Sequence, residues 1–335
     1  MLRLALLVVV PLLLCACAAG GSTRTKPRWA IAIHGGAGTI SHGESPERAR
    51  EYEAGLLRAL DAGRAALESG ASAVDTAERV VRILEDDPLF NAGKGAVYTE
   101  KGMHELDASI MDGRTLACGA VAGVMTVKNP VTLARRVMEN TRHVLLAGAG
   151  AEAFADEAGV ERVPNTYFDT PQRFESLQKV LRERESKRSS RDQQPKDKYG
   201  TVGCVVLDSA GDLAAATSTG GMTAKRWGRV GDTPIVGAGC YASNRSCAVS
   251  CTGTGEEFIR HGVARDIAAI YEYKGVSLEE AARQVVHGKL RPDDGGVIAV
   301  SKEGDIVLTF NTEGMYRAWA DSNGDHGVAI WEKKR

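Results

Sequence analysis

The chain has 335 residues, 43% hydrophobic and 25% charged, which is ordinary for a globular protein and long enough for one large domain or two smaller ones. Lys and Arg number 42 against 43 Asp and Glu, and the net charge of -1 points to neither a nucleic-acid surface nor an anionic membrane. The 38 glycines cluster in HGGAG, NAGKG, TGG and TGTG, which implies tight turns and backbone brought close to a ligand.

Residues 1–17 read as an export signal: Arg3, an apolar run over Leu4–Leu14 too short to span a bilayer, then small residues. Leu14–Cys17 is similar to a bacterial lipoprotein cleavage box, which would leave Cys17 lipidated. A plain cut after Ala16 or Ala18 is the alternative. The expected location is therefore periplasmic or lipid-anchored, with the anchor as the sole membrane contact. Export permits disulfides. Beyond the signal the cysteines are Cys118, Cys204, Cys240, Cys247 and Cys251, so at least one stays free. Cys204 and Cys251 sit in apolar runs and read as packed thiols. No HExxH pair or zinc-type cysteine spacing occurs, and no catalytic cofactor is expected.

Trp29–Ile33 reads as a buried strand ending in the His34–Gly38 glycine loop, with His34 a core or loop-ordering residue rather than a general base. Pro46–Glu68 and Ala71–Leu84 read as helices, the second with Ala73, Ala77, Val80, Val81 and Leu84 at helical spacing and Ser72 as cap. Asp87-Pro88 stops it, and a glycine loop follows to Gly95. Glu105–Met111 and Cys118–Val127 pattern as paired strands, Val131–Glu139 and Ala147–Glu157 as helices. Residues 182–198, dense in charge without apolar periodicity, are expected to be a mobile linker. Thr201–Leu207 and Leu213–Thr219 form a hairpin about the turn 209–212. GCVVLDSAGDL (203–213) lines up with GVIAVSKEGDI (296–306), two similar hairpins rather than a repeat. Glu256–Tyr273 and Ser277–Gly288 read as helices. Strand pairs alternating with helix pairs give an α+β or layered α/β class.

The stretch KDKYGTVGCVVLD (196–208) starts a strand at Thr201 as abruptly as a chain start would. A threonine hydroxyl is a poor nucleophile without a base, and no G-x-S-x-G elbow or Ser–His–Asp framework is present. As a chain's first residue, threonine carries its own base: an α-amine titrating near pH 8. That requires a cut before Thr201, and Gly200 tolerates the strained backbone such a cut needs. Taken alone, a threonine on an edge strand is more often structural.

The chain resembles the isoaspartyl peptidase/L-asparaginase family, the plant-type asparaginases among the N-terminal nucleophile (Ntn) hydrolases. The resemblance runs from about Trp29 to Trp319. It is carried by AIHGGAG (32–38), LEDDPLFNAGKGAVYT (84–99), ELDASIMDG (105–113), YGTVGCVVLD (199–208), AAATSTGGMTAK (214–225), GRVGD (228–232), SCTGTGE (250–256) and FNTEGMYRAW (310–319). It implies an αββα four-layer sandwich. It also implies self-cleavage between Gly200 and Thr201 into an α subunit (18–200) and a β subunit (201–335), paired as an (αβ)2 heterotetramer.

In the same way it implies Thr201 as nucleophile, assisted by Thr219, and Arg229 and Asp232 as readers of the substrate's α-carboxylate and α-ammonium. Thr252 and Gly253 would form the oxyanion hole, with Gly255 beside them and Asn91 ordering the site. A structural sodium ion would lie on the backbone carbonyls of Leu84, Glu85, Asp87, Phe90, Ala92 and Lys94. Read without the resemblance, RVGD could equally be a surface ion pair, TGTG a strand-ending turn and Thr219 a satisfied strand hydroxyl. The implied reaction releases L-aspartate from L-asparagine or a β-aspartyl peptide through an ester on Thr201. The rivals are a glycosylasparaginase, whose relatives usually cut after Asp rather than Gly, and a non-catalytic exported amino-acid-binding protein. Ala224 stands where the family often has Asn, and RPDDGG (291–296) brings two aspartates near the expected pocket, so leaving-group preference stays open. The export signal also departs from the family's commoner intracellular members.

Overall fold

Three helices start where a serine precedes an apolar periodic run. In the computed structural model, which describes residues 25–38, 45–187 and 200–332, Ser45 accepts from Arg48 N at 3.2 Å, Ser72 from Asp75 N at 3.1 Å and Ser277 from Glu280 N at 3.2 Å. The first half runs β1 (Ala30–Ala37), α1 (Pro46–Glu68), α2 (Ala73–Asp86), β2 (Leu106–Asp112), β3 (Cys118–Val124) and α3 (Pro130–Asn140). It continues through β4 (Leu145–Ala147), α4 (Gly148–Glu157) and α5 (Pro171–Lys187). The second half runs β5 (Val202–Leu207), β6 (Leu213–Thr219), β7 (Cys240–Ala242), β8 (Cys247–Gly253), α6 (Gly255–His261), α7 (Val263–Lys274) and α8 (Leu278–Val286). It ends with β9 (Gly295–Ser301), β10 (Ile306–Phe310), β11 (Met315–Asp321) and β12 (His326–Ala329). The expected signal at 1–17 lies outside the described residues, as do 188–198 of the expected linker.

The strands form an eight-stranded sheet, β12-β11-β1-β5-β6-β2-β3-β4, and a four-stranded sheet, β10-β9-β8-β7. Strand alternation builds three apolar layers. Ile31, Ile33, Val202, Cys204 and Val206 face Leu56 and Leu60 of α1, Val80 and Leu84 of α2 and Val137 of α3. Ala30, Ala32, Val205, Leu207 and Ala215 face Ala248, Ile298 and Val300 of the second sheet. On the far side of that sheet, Val249, Cys251, Val297 and Ala299 meet Ile267, Leu278 and Val285 of α7 and α8. The order is helix, sheet, sheet, helix, as expected. The inter-sheet layer is rich in alanine, which suits the close face-to-face packing of two sheets.

Local structure departs from expectation at Gly262 and at residue 182. The helix expected over Glu256–Tyr273 is broken at Gly262, which is left-handed at φ 56°. The break lets Ala264 N and Arg265 N donate to Ala238 O (3.1 Å) and Gly237 O (2.8 Å) instead of continuing α6. The expected linker does not begin at 182: residues 182–187 end α5, where Leu177 packs with Tyr98 and Ala224 and Arg184 Nη1 donates to Ala224 O at 2.8 Å. The two similar hairpins fall in different sheets. Each turn is pinned by its first side chain, Asp208 accepting from Ala210 N and Asp212 N, and Ser301 from Glu303 N and Asp305 N.

All five cysteines in the described residues are free, and burial pushes the Cys204, Cys240, Cys247 and Cys251 thiols up. No described helix is long and apolar enough to cross a membrane.

Candidate active site

Antiparallel pairing brings the start of β5, the end of β1 and the end of β6 to one end of the sandwich. Thr201 sits there, one residue before β5, only 5% exposed. Its Oγ1 lies 3.3 Å from Thr219 Oγ1, a long contact for two hydroxyls. The Gly200 carbonyl receives two donors, Thr219 Oγ1 at 2.8 Å and Asn91 Nδ2 at 2.8 Å. Asn91 is fixed in turn: Nδ2 also donates to Gly221 O at 2.7 Å, and Oδ1 accepts from Val97 N at 2.9 Å. A Cβ on Gly200 would lie 2.9 Å from that of Asn91, so glycine is what lets the two strands of chain meet.

Arg229 and Asp232 follow a tight turn in which Arg229 N donates to Arg226 O at 2.9 Å, with Trp227 and Gly228 both left-handed (φ 56° and 67°). The Arg229 guanidinium lies against Gly231 and Gly255, where a Cβ would come within 2.8 and 2.9 Å of its nitrogens. Its fork holds a partner that sequence reasoning missed: Nε and Nη2 donate to the two carboxylate oxygens of Glu256 at 2.9 and 2.8 Å. Glu256 ends the SCTGTGE motif, and this bond, its largest influence, holds its carboxyl below the ordinary range.

Asp232 is buried and its Oδ2 has no hydrogen-bond partner among the described residues. Burial pushes its pKa up to about 7, opposed by the Arg229 charge and reinforced by Glu256 and Asp107. Asp107, on β2 directly across from Thr219, was likewise not singled out from the sequence. It is buried, accepts from Gly123 N at 2.8 Å through Oδ1, and leaves Oδ2 without a partner among the described residues. Thr252 Oγ1 is buried and unpartnered in the same sense. After it, Gly253 takes φ 152° and passes Gly295, where a Cβ would come within 2.7 Å of the Gly295 Cα. The neighbouring Asp294 turns its carboxylate onto Arg291 N at 2.8 Å.

The 84–94 loop positions Asn91, whose carbonyl accepts from Gly220 N at 3.1 Å. A Cβ on Gly93 would overlap Glu85 O, and one on Gly95 would overlap Phe90 O and lie 2.6 Å from Pro88 O. Several carbonyls thus crowd onto two glycines. The Glu85 side chain points elsewhere: Oε1 accepts from Ser218 Oγ at 2.6 Å and Val131 N at 3.0 Å. Burial pushes the Glu85 carboxyl up to about 8. The Lys94 ammonium donates to Tyr167 O and leaves its own backbone uninvolved in that contact. No cluster of three or more His, Cys, Asp or Glu suited to a metal occurs among the described residues.

A family profile described as asparaginase matches residues 27–330. The isoaspartyl peptidase of Escherichia coli (strain K12) is 52% identical over 309 residues, covering 91% of this chain and 96% of that protein. That of Salmonella typhimurium is 54% identical over 308 residues, covering 90% and 98%. A probable isoaspartyl peptidase/L-asparaginase 2 of Arabidopsis thaliana is 47% identical over 325 residues, covering 91% and 99%.

These matches correct one expectation. The residues read as a signal with a lipid-bearing Cys17 lie ahead of the family match, and the relatives are enzymes whose names carry no export or anchor. Signal and lipoprotein character are therefore not supported, and the periplasmic or lipid-anchored location drawn from them is withdrawn. A short apolar run followed by small residues is a compositional pattern that nothing in the catalytic fold requires. The matched length, the layered fold and the site motifs in order make this chain a member of the asparaginase family, a hydrolase of the isoaspartyl peptidase/L-asparaginase type.

Proposed function

We propose that the chain matures by cutting its own Gly200–Thr201 bond and that Thr201 is then the nucleophile that hydrolyses L-asparagine and β-aspartyl peptides. The observation that carries this reading is the Gly200 carbonyl, held by two donors beside the Thr201 hydroxyl. Attack of Thr201 Oγ1 on the Gly200 carbonyl carbon puts negative charge on an oxygen that Asn91 and Thr219 already face. The C–N bond then breaks and the nitrogen takes the hydroxyl proton, which frees the Thr201 amine; water hydrolyses the resulting ester to release the Gly200 carboxylate and restore the Thr201 hydroxyl. The products are an α chain ending at Gly200 and a β chain of residues 201–335, and two such pairs associate as (αβ)2.

In the mature site the Thr201 α-amine takes the proton of its own hydroxyl, which attacks the substrate's side-chain carbonyl. Thr252 Oγ1, which has no partner among the described residues, and the Gly253 N–H receive the developing oxyanion. Asp232 Oδ2, also without a partner there, takes the α-ammonium; a cation beside it favours the ionised carboxylate that burial opposes. Arg229 takes the α-carboxylate, with Glu256 holding its fork in plane. The amine of the amide leaves with the proton, and water releases L-aspartate from the Thr201 ester.

A structural sodium ion on the carbonyls of Leu84, Glu85, Asp87, Phe90, Ala92 and Lys94 belongs to the same proposal. A carbonyl-lined loop crowded onto Gly93 and Gly95 fits a hard cation, and the ion takes no part in the chemistry. The test is intact mass with N-terminal sequencing. The active protein is expected as two chains, one beginning Thr-Val-Gly-Cys, and Thr201→Ala as one inactive chain. Two chains from Thr201→Ala refute the proposal.

A further inference from the structure

Thr201 lies one position beyond its backbone ladder with β6 and two positions beyond its ladder with β1. β1 pairs with β5 from Ala30↔Leu207 to His34↔Gly203, and β6 pairs with β5 as far as Ser218↔Val202. Extending those registers sets Thr201 against Thr219 on one side and Gly36 on the other. On the β6 side the Thr219 hydroxyl meets the Thr201 hydroxyl. On the β1 side the strand bulges between His34 and Gly36, and Gly36 is left-handed at φ 116°. A side chain takes the place of the missing rung: His34 Nδ1 lies 3.0 Å from the Thr201 carbonyl oxygen.

The proton positions along this contact follow from its partners. A carbonyl only accepts, so Nδ1 carries the hydrogen. Burial drives the ring's pKa down to about 3, which leaves it neutral. Nε2 is then an acceptor, and Ser250 Oγ, 2.8 Å away, donates to it. Ser250 Oγ in turn accepts from Thr217 Oγ1 at 2.8 Å; the other acceptor near Thr217, Gly239 O, is 3.4 Å away. Every proton in the chain points towards Thr201. The chain crosses from β6 to β8 to β1 through the layer between the two sheets. It also accounts for Gly203, where a Cβ would overlap Ser250 Oγ and His34 Nε2 together.

We infer that His34 is a positioning residue: as the neutral Nδ1–H tautomer, oriented by Ser250 and Thr217, it holds Thr201 in place once the bond to Gly200 is open. This rests on Thr201 being the nucleophile. Cleavage removes the residue's upstream tether, and the rungs left to it are then made by side chains.

The experiment compares His34→Asn with His34→Gln in the mature enzyme acting on asparagine. Asparagine places an amide N–H near the Nδ1 position and keeps the rung; glutamine reaches towards Ser250 and loses it. His34→Gln is expected to lose about 100-fold in kcat, the scale of a reacting group misplaced by roughly 1 Å. His34→Asn is expected to stay within about tenfold of the unaltered enzyme, and KM within about twofold in both. Equal kcat in the two variants, or a change confined to KM, overturns the inference. Because either substitution is buried, a second measurement uses the unaltered enzyme: nitrogen-15 NMR of the His34 ring at pH 7. Protonated Nδ1 with bare Nε2 is expected; an imidazolium or the Nε2–H tautomer overturns it. A chain that stays uncut overturns the nucleophile reading and this inference together, whereas a cut chain with equal variants overturns the inference alone.

Discussion

Removing one donor from the Gly200 carbonyl separates a catalytic arrangement from a merely well-ordered loop. Asn91 Nδ2 and Thr219 Oγ1 each reach that oxygen at 2.8 Å, so each is placed to stabilise the charge that self-cleavage puts on it. Loss of one such donor costs about 2.7–4 kcal/mol at the transition state, or roughly 100- to 1,000-fold in rate. Asn91→Ala would also strip the partners of Gly221 O and Val97 N, mixing the effect with damage to the loop. Asn91→Asp is cleaner. Its size is unchanged and one oxygen still accepts from Val97 N, but the N–H donor becomes an oxygen facing the carbonyl oxygens of Gly200 and Gly221. Freshly purified precursor, followed on denaturing gels and by intact mass, should convert to two chains at least about 100-fold more slowly in Asn91→Asp. Its melting temperature should show that the fold is intact. Conversion at the unaltered rate in a folded Asn91→Asp protein would refute the assignment of this carbonyl as the reacting one.

Two further outcomes are expected. Asp232→Asn removes the anionic acceptor for an α-ammonium, and a charged hydrogen bond of about 1.5–3 kcal/mol corresponds to a fall of roughly 10- to 150-fold in kcat/KM. The fall should come mainly through KM, with self-cleavage unaffected; steady-state kinetics that leave KM unchanged take Asp232 out of the substrate pocket. Glu85→Gln tests the buried carboxyl. Glu85 titrates at about 8 in the fold, against about 4.3 unfolded. The folded state therefore holds the proton more tightly, and this group's contribution to stability is lost as pH rises from the lower value through the higher. Glutamine keeps an acceptor for Ser218 and Val131 and has no proton to lose. The melting temperature of Glu85→Gln relative to the unaltered protein should thus climb between about pH 4.3 and pH 8. A flat difference across that window means that Glu85 is ionised in the fold.

Much of this molecule was legible beforehand because its signals are local. The Ser72 cap, the Asp-Pro stop after α2, the turn at 209–212 and the alternation of 202–207 and 213–219 each depend on a few adjacent residues. The site motifs were legible because a close approach leaves its mark in the chain as glycine, at 200, 203, 231 and 255. Other features left weaker marks. The break at Gly262 depends on carbonyls of residues 237 and 238 needing donors, and the helical 182–187 depends on a docking face around Tyr98 and Ala224. The apolar run at Leu4–Leu14 is the opposite case, a composition that suggested export without support from the family.

By itself the sequence determined the helices α1 and α2, the strands at 202–207 and 213–219, that 29–33 is a buried strand and that Thr201 opens another, whereas α5, β7, β11 and β12 were not marked in it. Tertiary structure alone decided partnership. Residues as distant as Ala30 and Asp321 pair, and hairpins nearly identical in pattern enter different sheets. Glu256 closes on Arg229, and His34 reaches Thr201 across a bulge. The physical reason is that alternation records whether a side chain is buried but not against what, and a two-sided strand is equally satisfied by several neighbours until the whole sandwich packs.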